Sequence, residues 1–354
     1  MSDIALNAPP GRGEFYVLFR FEHLDMQSRR ALTQVVSQTS HPLLRLNVAP
    51  NGLVVHSEDT PKTRPALSQA LGGLRDMLRG LPDQAGASTG GLITPQSTIA
   101  IEDEMYAGVG RACPSVRSFA DAPALVFGHS QDVVDFAAQA VGSPSATDRD
   151  SLPDASAVTG RHVSRTKLQG SGAGTVDAFW SRAFPRAESA AEVLARSVAS
   201  WVVGGHPESR LPRALRGGAG FSYNPGALLQ WVGGVQWFVF TASTSGSTAD
   251  DLVSAAERAM STSREQGVTL RDTKRAMRFM SAQTKEAFAS PSGELLMRLA
   301  QFDGSDPFGL GRELLRGEMG EPPLELVAHA HDYITDVSNL HRFVVTPSGG
   351  AGRG

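Results

Sequence analysis

Residues 215–225, LRGGAGFSYNP, place Arg216 seven positions ahead of Tyr223 across a run of small residues. The two side chains are a permanently charged fork of N–H donors and a phenol O–H. The glycines between them let the chain turn sharply or lie close to another backbone. Three uses fit such a stretch: a phosphate cradle, a plain turn into a strand, or a grip on a peptide. The phosphate reading is the weakest. Neither this run nor GSGAG at 170–174 has the Gly-x4-Gly-Lys-Ser/Thr spacing or a clear strand, Gly-x-Gly-x-x-Gly, helix context.

The other chemistry-bearing residues do not assemble into a site. His329 and His331, in HAHD, fall in a helix-like segment. Residues two apart on a helix point about 200° from one another, so both imidazoles cannot close on one zinc. A solvated helix face is the expected role. The remaining histidines are scattered, and none belongs to His-x-x-Glu-His, His-Glu-x-x-His or His-x-Glu with Cys-x-x-Cys. A nucleophile elbow needs Gly-x-Ser-x-Gly, and STSG at 243–246 lacks the first glycine. Glu102, Asp103 and Glu104 form a short acidic run that reads as a solvated face, with cation binding as the alternative. Cys113 is the single cysteine, which excludes an internal disulfide or a four-cysteine zinc site and fits a reducing compartment. No metal site of the chain's own is expected.

The chain that must position these residues has 354 of them, long for one domain and comfortable for two. Its 41% hydrophobic and 19% charged residues are ordinary for a globular protein. A net charge of −3 gives no electrostatic footprint for nucleic acid or an anionic membrane. The apolar runs ASWVV and WFVF are too short to span a bilayer, and the N-terminus lacks a charged segment followed by an apolar one. The expected location is the cytoplasm. Of 33 basic residues only four are lysine, a bias that a GC-rich bacterial genome encodes.

The pattern predicts a strand in EFYVLFRFEH from residue 14, a helix over 26–38, and two strands, LLRLNVAP and GLVVHSE, joined by a turn at 50–52. Leu67, Leu71, Leu74 and Leu78 form one face of a helix over 65–80. APALVFGHSQDVVDFAAQAVG then reads as a buried strand turning into a helix. Residues 143–156 are polar and proline-containing, the expected linker. Beyond it, weak strand signals over 158–177 precede a helix over 187–203, the 215–225 loop, and a strand pair, GALLQWVGG and VQWFVFTAST. Helices over 250–265 and 270–289 break at Gly267; others over 293–301 and 323–337 lead to a last strand, LHRFVVTP. The fold class is α+β: two tandem domains, 1–156 and 157–354, each a mostly antiparallel sheet with helices on one face.

The spaced motifs of the second half resemble the second domain of the pitrilysin and mitochondrial-processing-peptidase family, the inverzincins. They stand in order as Ser209-Arg210-Leu211, LRGGAGFSY, WFVFTASTSGSTADDLVSAAERAM, EQGVTLRDTKRAMRFM and ASPSGELLMRLAQF. PALVFGHSQDVVDFAAQA is similar to the end of the family's first domain. Catalytic members carry His-x-x-Glu-His on their first long helix. Here that helix, over 26–38, has no His and no Glu. The resemblance therefore implies a non-catalytic subunit without metal, paired with a homologous partner that carries His-x-x-Glu-His and zinc. It also implies that Arg216 and Tyr223 reach across that interface to backbone carbonyls of an extended peptide, where N–H and O–H donors suit a carbonyl becoming an oxyanion. The acidic residue usual after the arginine is Gly217 here. Leader removal from a natural-product precursor is the expected process, and a structural scaffold of the same fold is the alternative.

Overall fold

A computed structural model describes residues 14–20, 29, 32–33, 36, 42–49, 52–58, 60, 62–79, 124–128, 131–141, 165–170, 175–217, 225–232, 235–245, 248–288 and 320–347. The chain divides into two compact units, Met1–Leu152 with Ala287–Leu299, and Pro153–Glu286 with Ala300–Gly354.

In the first unit, β1 (Glu14–Arg20), β2 (Arg45–Ala49), β3 (Gly52–Glu58) and β4 (Ala124–Gly128) form an antiparallel sheet in the order β2-β3-β1-β4. Period-two alternation puts Phe15, Val17 and Phe19 of β1, with Leu53 and Val55 of β3, in a single core. Helix α1 (Arg64–Arg79) closes it. Leu67, Leu71, Leu74 and Leu78 are all 0% exposed, the stripe their spacing predicts. Helix α2 (Gln131–Val141) adds Ala137 to the same core. Arg29, Leu32, Thr33 and Val36 are helical, with Arg29 and Leu32 buried.

The second unit repeats that strand order. Its elements are β5 (Arg165–Gly170), β6 (Val176–Ala183), α3 (Ala190–Val203), α4 (Arg210–Gly217), β7 (Gly226–Val232), β8 (Val235–Thr244), α5 (Ala249–Gln266), α6 (Leu270–Phe288), α7 (Leu324–Thr335) and β9 (His341–Pro347). The sheet runs β5-β9-β6-β8-β7. In both units the first long strand lies between the last strand and the second strand of a hairpin: β1 between β4 and β3, β6 between β9 and β8. The second sheet adds β5, parallel to β9, on an otherwise antiparallel ladder. The α+β class and the tandem arrangement thus appear in the strand order itself.

Alternate residues of β6 and β8, Ala178, Trp180, Phe238, Phe240 and Ala242, join the helices in one core. Phe179, Trp237 and Val239 on the opposite face are buried as well, which accounts for the unbroken apolar run WFVF. The caps match the expected breaks. Ser189 starts α3 by accepting from the Glu192 N–H, and Thr248 starts α5 by accepting from the Asp251 N–H. Gly267 ends α5 at φ +60°, a conformation that favours glycine, and lets α6 begin three residues later.

Two expectations are corrected. Leu215, Arg216 and Gly217 are the end of α4 rather than the start of a loop. Buried Leu211 and Leu215, four apart, supply the apolar face that holds this short helix. The solvated-face reading of HAHD holds for exposed His329 but not for His331, which is 0% exposed. His331 shares the inward stripe of α7 with Val327 and Ile334. The linker over 143–156, the helix over 293–301, most of the helix over 26–38, the acidic run Glu102, Asp103 and Glu104, and Cys113 lie outside the described residues.

Candidate functional site

Helix α4 carries the two ends of the site. Arg216 is in its last turn, exposed, and makes no hydrogen bond or ion pair among the described residues. A cation in that turn is favoured by the helix dipole. Tyr223 lies outside the described residues. The chain re-enters at buried Pro225 and then β7, at the edge of the sheet beside β8.

A close backbone approach fixes where β7 begins. The Ala227 N–H donates to the Gly204 carbonyl at 2.9 Å. A Cβ on Gly204 would stand 2.7 Å from the Ala227 Cβ and 3.0 Å from its nitrogen. Gly204→Ala should therefore cost about 1–3 kcal/mol, the range for overpacking. Urea unfolding of the variant measures it, and an unchanged midpoint would show that β7 can shift freely.

The first residue of α4, Arg210, anchors the other end. Its guanidinium donates to the Ser263 carbonyl at 3.0 Å and to Asp272 Oδ2 at 2.8 Å. Asp272 also accepts from the Thr269 N–H at 3.1 Å and the Thr269 hydroxyl at 2.7 Å, as part of the cap of α6. Burial pushes the Asp272 carboxyl up, but these hydrogen bonds and the Arg210 charge hold it below the usual range. Ser263 Oγ lies 3.0 Å from His331 Nε2. Burial first, then the Arg210 charge, lowers the His331 pKa to about 4 despite the opposing pull of Asp332, so its ring is neutral at neutral pH. The Ser-Arg-Leu step is thus the point where α4, α5, α6 and α7 are tied together.

Between the α3–α4 turn and α6 lies a cleft of about 260 Å³. His206 and Phe279 stack on its wall with ring centroids 3.5 Å apart and an interplanar angle of 22°. Burial, followed by the nearby Arg275 charge, lowers the His206 pKa. The exposed side chains of Arg213 and Arg275 complete the cationic lining. The sequence points to Arg216 alone on this helix. Arg210, Asp272 and Arg275 stand in stretches that carry the family resemblance, but nothing in their spacing marks them as interacting; Arg213 and His206 carry no such motif, and the 327, 331, 334 spacing on α7 marks His331 as inward.

The described positions of the segment 26–38, Arg29, Leu32, Thr33 and Val36, offer no zinc ligand. Among the described residues no three His, Cys, Asp or Glu side chains converge.

No protein-family model and no curated protein sequence matches the chain. Solved structures do. A peptidase M16 inactive domain from Pseudomonas fluorescens matches with TM-score 0.59 at 11% identity, over 95% of this chain and 92% of that one. A protease from Helicobacter pylori matches with TM-score 0.62 at 11% identity, over 97% and 96%. The periplasmic protease PqqL from Escherichia coli matches with TM-score 0.53 at 13% identity, over 97% of this chain but 44% of that one. The chain has the fold of the M16, pitrilysin-like peptidases.

Proposed function

We propose that this chain is the non-catalytic, peptide-binding subunit of a two-chain zinc peptidase. One observation carries the reading: the M16 fold is built here from a sequence without His-x-x-Glu-His. The similarity to a domain described as inactive supports it. In this reading zinc and the general base belong to a homologous partner. Arg216 and Tyr223 donate to carbonyls of an extended peptide, which adds as an edge strand to the partner's first sheet. The process we assign is leader removal from a natural-product precursor, in the cytoplasm. Among the described residues no helix is long and apolar enough to cross a membrane.

The test is co-expression with a neighbouring gene product that contains His-x-x-Glu-His. The chains should co-purify, the pair should cleave the precursor, and neither alone should do so. Turnover by this chain alone would overturn the reading. A stable pair that never cleaves peptide would mark a scaffold instead.

A further inference from the structure

Arg213 and Arg275 face the cleft from α4 and α6, and neither guanidinium makes a hydrogen bond or ion pair among the described residues. The Arg275 guanidinium lies 5.8 Å from the Phe279 ring centroid. Two acids share the lining. Asp272 is already taken by Arg210 and Thr269, which leaves one carboxylate, Glu208, against two uncommitted guanidinium groups. A third donor is set by geometry. His206 Nδ1 accepts from the Glu208 N–H at 3.1 Å, so in the neutral ring the proton sits on Nε2. The stack on Phe279 holds the ring in place.

The geometry points to a carboxylate-binding subsite in this cleft, which receives an acidic side chain of the bound peptide. The peptide as the source of that carboxylate rests on the function proposed above. Planar guanidinium forks match the two oxygens of a carboxylate, and charge-assisted bonds of this kind are the strong ones. Position argues for a peptide. Arg213 precedes Arg216 by three residues on α4, an axial rise of roughly 4.5 Å. One residue of extended peptide advances about 3.3 Å. A strand held at Arg216 therefore brings a side chain one or two residues away to Arg213. Lys or Arg at that peptide position would meet like charge.

The test follows the His206 imidazole signal in the full-length chain, assigned with His206→Gln. The probes are the capped amino acids Ac-Glu-NH2 and Ac-Gln-NH2. Ac-Glu-NH2 should shift the signal saturably and raise the His206 pKa, because a bound anion favours the charged ring. Ac-Gln-NH2 should bind about tenfold more weakly, and the Arg213→Ala/Arg275→Ala double variant should lose about tenfold for Ac-Glu-NH2, as expected when charge-assisted bonds are removed. Both substituted residues are exposed, so the fold is retained. Equal responses to the two probes, or an unchanged response in the double variant, would overturn the subsite. A second arm uses Ac-Ala-Glu-Ala-Ala-NH2 with the two-chain assembly, where it should bind about tenfold tighter than Ac-Glu-NH2, a gain that Arg216→Ala removes. If that gain is missing, the carboxylate does not come from a peptide held at Arg216. The function proposed above then fails while the subsite stands.

Discussion

Arg216→Ala and Tyr223→Phe should each lower kcat/KM of the reconstituted two-chain peptidase by about 30- to 1,000-fold, a loss of ~2–4 kcal/mol in transition-state stabilisation. Of the pair, only Arg216 lies among the described residues. It is exposed in the last turn of α4, makes no hydrogen bond or ion pair among the described residues, and stands on a helix pinned by buried Leu211 and Leu215. Removing an exposed side chain of this kind changes fold stability by no more than about 0.5 kcal/mol, so a kinetic loss would report on substrate. The division between constants is informative. A donor that holds the peptide equally in ground and transition states raises KM alone, whereas one that meets the developing oxyanion lowers kcat. Arg216→Lys keeps the charge but loses the fork, and should recover only part of the activity. Wild-type kcat/KM in both variants would remove the pair from the mechanism and favour a scaffold.

The fold was legible where local pattern and tertiary burial coincide. The Leu67, Leu71, Leu74 and Leu78 stripe, the alternation of β1 and the WFVF run each identify their element because one face, or both, enters a core. Helix α4 was hidden because RLPRALRG offers two apolar anchors amid arginines, a proline and a terminal glycine. Strand β5 was faint for a different reason: RTKLQG lies on the sheet edge and has little apolar alternation, so its parallel pairing to β9 depends on residues 177 positions away in sequence. The site divides along the same line. Arg216 belongs to a contiguous motif and can be read from it. The ties from Arg210 to Ser263 and Asp272, and from Ser263 to His331, span sequence separations of 53 to 68 residues. No local spacing can encode them.

Acidification should expose the His331 tie as a stability loss of about 3 kcal/mol between pH about 6.5 and about 4. The sign follows from burial. The folded ring resists its proton until pH about 4, while the unfolded ring takes one near 6.5. Across that window the unfolded state binds more protons, so stability falls as pH falls, by up to about 1.4 kcal/mol per pH unit. The groups around the ring explain why the neighbouring acids, Asp332 and Asp272, offset this only in part. Ser263 accepts or donates at Nε2, Arg210 opposes a second positive charge, and Asp332 Oδ1 stands 3.6 Å from Nδ1, beyond hydrogen-bond reach. His206, also lowered by burial and then by Arg275, contributes a slope of the same sign. Asp272 and Asp336 are held below the usual carboxylate range, so the stability they contribute is lost only at lower pH, as each is protonated through its depressed pKa. His331→Gln removes the titrating ring and keeps a polar group facing Ser263. Its unfolding free energy, measured by urea from pH 7 to 4, should be lower than wild type at pH 7 but distinctly flatter. An equal slope in the two proteins would show that the acid sensitivity belongs to another group, and that the Arg210–Ser263–His331 tie remains intact at pH 4.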